Sequence, residues 1–388
     1  MTVFLRYRVT WAAYGLVGYF AYLETVLGPT MPFLRAEQGL SYTVASLHFS
    51  AFASGGVVIG LIGERVQAHW SRRATLWGGA AGMAAGVFVL TLAPAAPGTI
   101  SGAFVMGLFG SLLLITTQSV LSDRHGVESV VAITESNVAA SACAITASLA
   151  VALSAASGLG WRPAFAPPLV AVVLLAGSFR LESLDGTRDS APARHQMTSG
   201  LPGRFWIYWG VLALGVSVEW CIAYWGADFL DNAVGMTRSG AAAALTAFFV
   251  AMLVGRIVAS RLARVVPGAT LLAASLSLAL AGFPLLWLAP TPVAGMLGLS
   301  LAGLGVGSVY PLGVSLAVSS APGRVERATA RLALGAAGAI LIAPFVLGAL
   351  ADVAGIAGAF GVVLPMLLIA TTLTLLGRRS STPNAEAG

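Results

Sequence analysis

Charged side chains in this chain are confined to short gaps between long apolar runs, and that spacing constrains the fold more than any other feature. Segmenting on arginine, Asp/Glu, Pro and Gly clusters gives twelve runs, at 9–31, 42–64, 74–93, 99–121, 128–156, 161–180, 205–229, 239–262, 269–289, 293–319, 328–350 and 357–377. A hydrocarbon core about 30 Å thick needs roughly 20 helical residues per crossing, so each run is long enough to span. The runs are continuously apolar, without the alternation of a barrel strand, which selects helices. Of the 388 residues 57% are hydrophobic and 9% charged, against about 25% charged in a soluble domain. The chain cannot cover a water-facing surface of its size, and the expected fold is an all-α membrane protein with twelve transmembrane helices.

All 21 basic residues are arginine. With no lysine, a P-loop NTPase, a pyridoxal-phosphate enzyme and a retinal Schiff-base protein are excluded, because each needs that amine at its chemical centre. Cys143 and Cys221 both fall inside apolar runs, so no disulfide framework or cysteine-based metal site is expected. The net charge of +6 does not point to nucleic acid, since the arginines form short clusters between spans rather than one basic face. Arg6 and Arg8 ahead of an apolar stretch imitate a signal peptide. That stretch is longer than the 7–15 residues of an h-region and has no small-residue cleavage site, so it reads as a retained first span.

Placing the N-terminus in the cytoplasm leaves seventeen arginines in inner connections, three outside (Arg35, Arg162 and Arg238), and Arg256 within a span. This bias matches the positive-inside rule and predicts both termini cytoplasmic in a bacterial inner membrane, the all-arginine basic set fitting a GC-rich bacterial genome. The expected domains are a six-helix bundle at 1–181, a flexible cytoplasmic linker at 182–204, a second bundle at 205–379 and a disordered tail at 380–388.

At an offset of 195 residues the second half repeats features of the first. Trp11, Tyr14 and Gly15 meet Trp206, Trp209 and Gly210; Glu24 meets Glu219; Gly60 meets Gly255; Gly110 meets Gly305; Gly160, Ala164 and Phe165 meet Gly355, Ala359 and Phe360. Repeats of six spans enter the membrane in the same sense, giving two pseudo-symmetric bundles.

The segment Gly60-Leu-Ile-Gly-Glu64-Arg65, followed by Arg72 and Arg73, resembles the loop between spans 2 and 3 of the major facilitator superfamily, G-x-x-x-D-R-x-G-R-R. Glu64 stands for Asp, and extra residues precede the arginine pair. Gly255 and Arg256, with Arg261 and Arg264, resemble its second-half copy without the acid. The resemblance covers nearly the whole chain and implies that family's two-bundle fold, with this loop latching the cytoplasmic side. Leu23-Glu24-Thr25-Val26-Leu27-Gly28-Pro29, Glu219 with Trp220 and Trp225, and Pro311 after Gly303-Leu-Gly-Val-Gly307 are similar to the fucose:proton symporter group. The acid that group carries in span 4 has no counterpart between Ser111 and Gln118, and the drug-antiporter motifs of spans 4 and 5 are missing.

A carboxylate in a span costs at least about 2.5–3.5 kcal/mol unless it faces a cavity or a partner, so such residues are functional candidates. Glu24 and Glu219 are expected to couple protons, with Glu135 as an auxiliary; Glu24 and Glu219 also read as structural hydrogen-bonding groups, and Glu135 as a snorkelling acid or a partner for Arg124 near the interface. His48, with an unperturbed pKa near 6.5, Gln118, Asn137, Trp220, Tyr224 and Tyr310 are the candidate substrate-binding residues, and helix packing is the competing reading for each. Trp220, Tyr224 and Asp228 recur every four residues, on one stripe of span 7. Arg256 can equally snorkel or cap carbonyls. No metal-ligand spacing occurs, and no cofactor is expected.

These residues predict a secondary active transporter, not an enzyme, moving a small-molecule organic solute with protons as the coupling ion. The expected partners are the solute, protons and the lipid bilayer, with no nucleic acid, and the chain is expected to be a monomer. A proton-antiport drug or metabolite exporter, a facilitative uniporter and a non-transporting membrane sensor are the alternatives.

Overall fold

A computed structural model of the protein describes residues 4–180, 182 and 200–379, with every side chain among them except those of Glu64 and Arg379. Most of the expected linker (183–199) and the tail 380–388 lie outside these residues. Among the described residues the structure is helical without strands: α1 Arg8–Thr25, α2 Leu27–Gln38, α3 Tyr42–His69, α4 Arg72–Leu92, α5 Ala96–His125, α6 Ser129–Ala156, α7 Ala166–Phe179, α8 Gly203–Asn232, α9 Arg238–Leu262, α10 Gly268–Trp287, α11 Pro292–Val306, α12 Val309–Ser319, α13 Val325–Phe360 and α14 Val363–Arg379. Nine described stretches are long and apolar enough to cross a membrane. A helix or a pair of helices underlies each of the twelve apolar runs; one of the nine stretches, Ala96–Ala156, contains two runs, and Val363–Arg378 is a shorter apolar helix.

Proline explains where the runs break. The first run, expected as one span at 9–31, is instead two helices with a break at Val26. Pro29 and Pro32 have no N–H for the carbonyls of Thr25 and Gly28. Between the two prolines the Thr30 hydroxyl turns back onto the carbonyls of Val26 (2.9 Å) and Leu27 (3.0 Å). The tenth run breaks between α11 and α12 at Gly307 and Ser308, four and three residues ahead of Pro311. In α13 the backbone turns at Gly355, whose φ of 71° favours glycine.

The chain forms two compact units. The first runs to Leu40 and resumes at Leu47; the second takes Ser41–Ser46 and, among the described residues, everything from Gly200 onward. In the first unit α4 packs along α5 and α1 along α6. In the second, α10 packs along α11 and α8 against α13, α14 and α12. There the carboxylate of Asp352 accepts the backbone N–H groups of Tyr42 (2.7 Å) and Thr43 (2.8 Å), capping the start of α3.

The internal packing of the units corrects the single repeat offset. α3, α4, α5 and α6 begin at Tyr42, Arg72, Ala96 and Ser129, and α9, α10, α11 and α13 begin 196 residues later in each case, at Arg238, Gly268, Pro292 and Val325. Their caps correspond too: the Ser41 hydroxyl accepts from the Val44 N–H and the Thr237 hydroxyl from the Gly240 N–H. A Cβ on Gly107 would lie 1.9 Å from the Phe52 carbonyl oxygen, and one on Gly303 would lie 2.7 Å from that of Phe248. Likewise Gly102 abuts the Leu90 nitrogen and Gly298 that of Leu286. The extra residue lies between the first and second spans of the second half. Glu24 therefore still matches Glu219, and Gly60 corresponds to Arg256 rather than to Gly255; the offset is back to 195 at Gly160 and Gly355, which share a positive φ. A Cβ on Gly60 meets nothing within 4 Å, whereas Gly255 is pressed onto the Leu304 carbonyl at 2.2 Å.

Candidate functional site

Glu219 lies midway along α8, and Arg256 lies less than two turns from the end of α9. They form an ion pair, Arg256 Nη2 to Glu219 Oε1 at 3.3 Å, with side chains 36% and 16% exposed. The Arg256 Nε donates to the Gly307 carbonyl at 2.9 Å. That carbonyl belongs to the break between α11 and α12. In an unbroken helix it would accept the N–H of residue 311, and that residue is proline. The broken helix thus supplies the acceptor that orients the guanidinium, and the guanidinium carries its charge to Glu219. Tyr310, 44% exposed, lies close enough for its phenol to feel the Glu219 charge.

The other expected residues of α8 differ in setting. Trp220 is half-buried and packs on Tyr224, ring centroids 4.8 Å apart; Tyr224 is fully buried. Asp228 is buried and accepts Asn232 Nδ2 at 2.8 Å, while Asp231 pairs with Arg238 at 3.2 Å. Both acids lie more than two turns beyond Glu219 on α8.

In the first unit, Glu24 is half-buried, two residues ahead of the helix break at Val26. Glu135 accepts from Arg6 Nη2 at 2.5 Å, from Arg6 Nε at 2.8 Å and from the Tyr14 hydroxyl at 2.9 Å. This cluster clasps the segment ahead of α1 onto α6, with Phe4 packed beside Tyr14, Leu121 and Ala132. His48 is fully buried and hydrogen-bonded to Thr99 at 2.8 Å. Gln118 and Asn137 are exposed.

Of the latch residues, Arg72 pairs with Asp123 at the end of α5, and Arg73 donates to the Glu182 carbonyl at 3.1 Å. Arg65 is exposed, and the Glu64 side chain lies outside the described residues. Arg256, expected in the second copy of the latch, belongs to the Glu219 pair. The sequence reading placed Glu219 and Arg256 in different groups; the 196-residue register and the proline four residues beyond Gly307 were the signals that join them. Among the described residues no cluster of His, Cys, Asp or Glu is arranged to hold a metal ion.

The Major Facilitator Superfamily sequence profile matches residues 11–322 and 211–388, and the chain belongs to this family. It is a multi-pass membrane transporter of the alternating-access type, not an enzyme. No curated protein matches the sequence. The fold is similar to a bacterial homologue of the human lysosomal transporter Spinster in an inward-facing, occupied conformation, with a TM-score of 0.78 at 15% identity, covering 97% of this chain and 98% of that one. It is similar also to the nucleoside transporter NupG (TM-score 0.72, 12% identity, 97% and 100% covered) and to the peptide transporter POT in complex with sulfate (0.72, 14%, 96% and 95%).

Proposed function

We propose that the chain moves a small organic solute across a bacterial inner membrane, with both termini cytoplasmic, and that a proton carried by Glu219 drives the movement. The Glu219–Arg256 ion pair carries this reading. Neutralising one partner of an ion pair leaves the other without its nearest counter-charge, at a cost that solvent reduces here because the Arg256 side chain is 36% exposed. A proton arriving at Glu219 therefore raises the energy of the site until Arg256 finds another partner, and re-formation of the pair expels the proton. Each ten-fold change in occupancy corresponds to about 1.4 kcal/mol, so even a screened penalty makes proton binding depend on what else the site holds. Glu24, the repeat-related carboxylate, is a second candidate carrier. Glu135 serves as the clasp of the N-terminal segment rather than as a carrier. The cytoplasmic latch role of Gly60, Glu64, Arg65, Arg72 and Arg73 rests on their motif, and Arg72 holds the end of α5 through Asp123.

In proteoliposomes, Glu219→Gln should abolish accumulation driven by a pH gradient while counterflow exchange persists. Undiminished gradient-driven uptake in both Glu24→Gln and Glu219→Gln would remove the proposed carriers.

A further inference from the structure

We infer that the transported solute is an anion whose negative group takes the place of Glu219 on Arg256 when Glu219 accepts a proton, so that one proton and one negative charge load together. This rests on Glu219 being the proton carrier. The guanidinium of Arg256 keeps its charge at every physiological pH, whereas a carboxylate can take up a proton. Protonating Glu219 leaves a positive charge held in place by the Gly307 carbonyl, which Pro311 cannot satisfy within the helix. A neutral solute does not balance that charge, and a cation adds to it. A carboxylate or similar oxyanion balances it and matches the planar donors of arginine. Tyr310, 44% exposed three residues beyond Gly307, is a candidate second donor to the oxyanion. Asp228 and Asp231 are held at the other end of α8 by Asn232 and Arg238.

The repeat supports the assignment. In the first unit the residue corresponding to Arg256 is Gly60, so Glu24 has no arginine at the equivalent position. At this register position the guanidinium is present in the second unit and absent from the first, as expected of a group that recognises a ligand rather than one that maintains a shared scaffold.

Glu219→Ala tests this by opening the space of the missing carboxylate in the full-length protein. In detergent at neutral pH, sodium formate should raise the melting temperature of Glu219→Ala by several degrees in a concentration-dependent way, with formamide and methylammonium chloride having no comparable effect. The double variant Glu219→Ala/Arg256→Gln, which carries neither charge, should show no formate response. Equal responses to formate and formamide, or a formate response that survives in the double variant, would overturn the proposal. So would a single variant that cannot be recovered even in formate while the double variant is recovered normally, because Arg256 would then admit no counter-ion but Glu219. Failure of the proton-carrier reading is distinguishable: Glu219→Gln would keep pH-driven accumulation, whatever the outcome with formate.

Discussion

Arg256 Nε and the Gly307 carbonyl lie 2.9 Å apart, and the contact exists because Pro311 supplies no N–H one helical turn later. A helix break and a charged side chain on a neighbouring helix are thereby parts of one device.

Pro311→Ala gives the Gly307 carbonyl a competing helical donor. A hydrogen bond to a charged group contributes about 1.5–3 kcal/mol, so loosening Arg256 should lower solute uptake roughly tenfold or more. The melting temperature should hold, since Pro311 sits in the first turn of α12, where proline costs little. Uptake measured alongside thermal unfolding checks both; unchanged uptake would separate the break from the site.

The glycines that let helices touch should respond differently from those that do not. Gly107→Ala and Gly303→Ala drive a methyl into the carbonyls of Phe52 and Phe248, and each should cost about 1–3 kcal/mol, Gly107 the more. Gly78→Ala and Gly338→Ala have nothing within 4 Å of the added carbon. They should be neutral or stabilising, by up to about 1 kcal/mol from helix propensity. Thermal unfolding of the four variants checks the order.

At the other end of the first unit Glu37 accepts from Arg162 and from the Trp161 indole, at 3.0 Å from the indole. The arginine hydrogen bond, more than the indole, holds the Glu37 carboxyl below the usual carboxylate range. A lowered folded pKa adds stability above the unfolded value near 4.3, and that stability is lost as pH falls through the folded value. Glu37→Gln should therefore melt slightly below wild type from pH 8 down to about 5, with the gap closing in more acidic solution. A gap that widens on acidification would contradict the assignment.

Arg6 and Glu135 are 43% and 29% exposed, so solvent screens their attraction. A double-mutant cycle of Arg6→Ala and Glu135→Gln should give a coupling of about 0.2–1 kcal/mol in stability. Gradient-driven uptake by Glu135→Gln should stay near wild type; its loss would return Glu135 to the coupling machinery.

Span positions and the repeat were legible because both rest on periodic signals, apolar run length and recurrent glycine. The break at Val26 was written as Pro29 and Pro32 but was outweighed by the continuous hydropathy of 9–31. The repeat register slipped by one because Glu24 and Glu219, the scarcest match, lie before the inserted residue, while the helices after it follow a different offset. The ionic pair was hidden for a simple reason: spacing within a sequence reports neighbours on one helix, and Glu219 and Arg256 are neighbours across two. The apolar surroundings of Glu24 and Glu219 marked them, but apolarity alone could not say that Glu219 is paired with Arg256.

The difference between Gly60 and Arg256 shows how two duplicated scaffolds become electrically unequal. One register position carries a guanidinium paired with Glu219 in the second unit, and in the first it is a glycine whose added Cβ would meet nothing within 4 Å. A single substitution at one helix position is enough to separate the electrostatics of two halves that share their caps and their helix contacts.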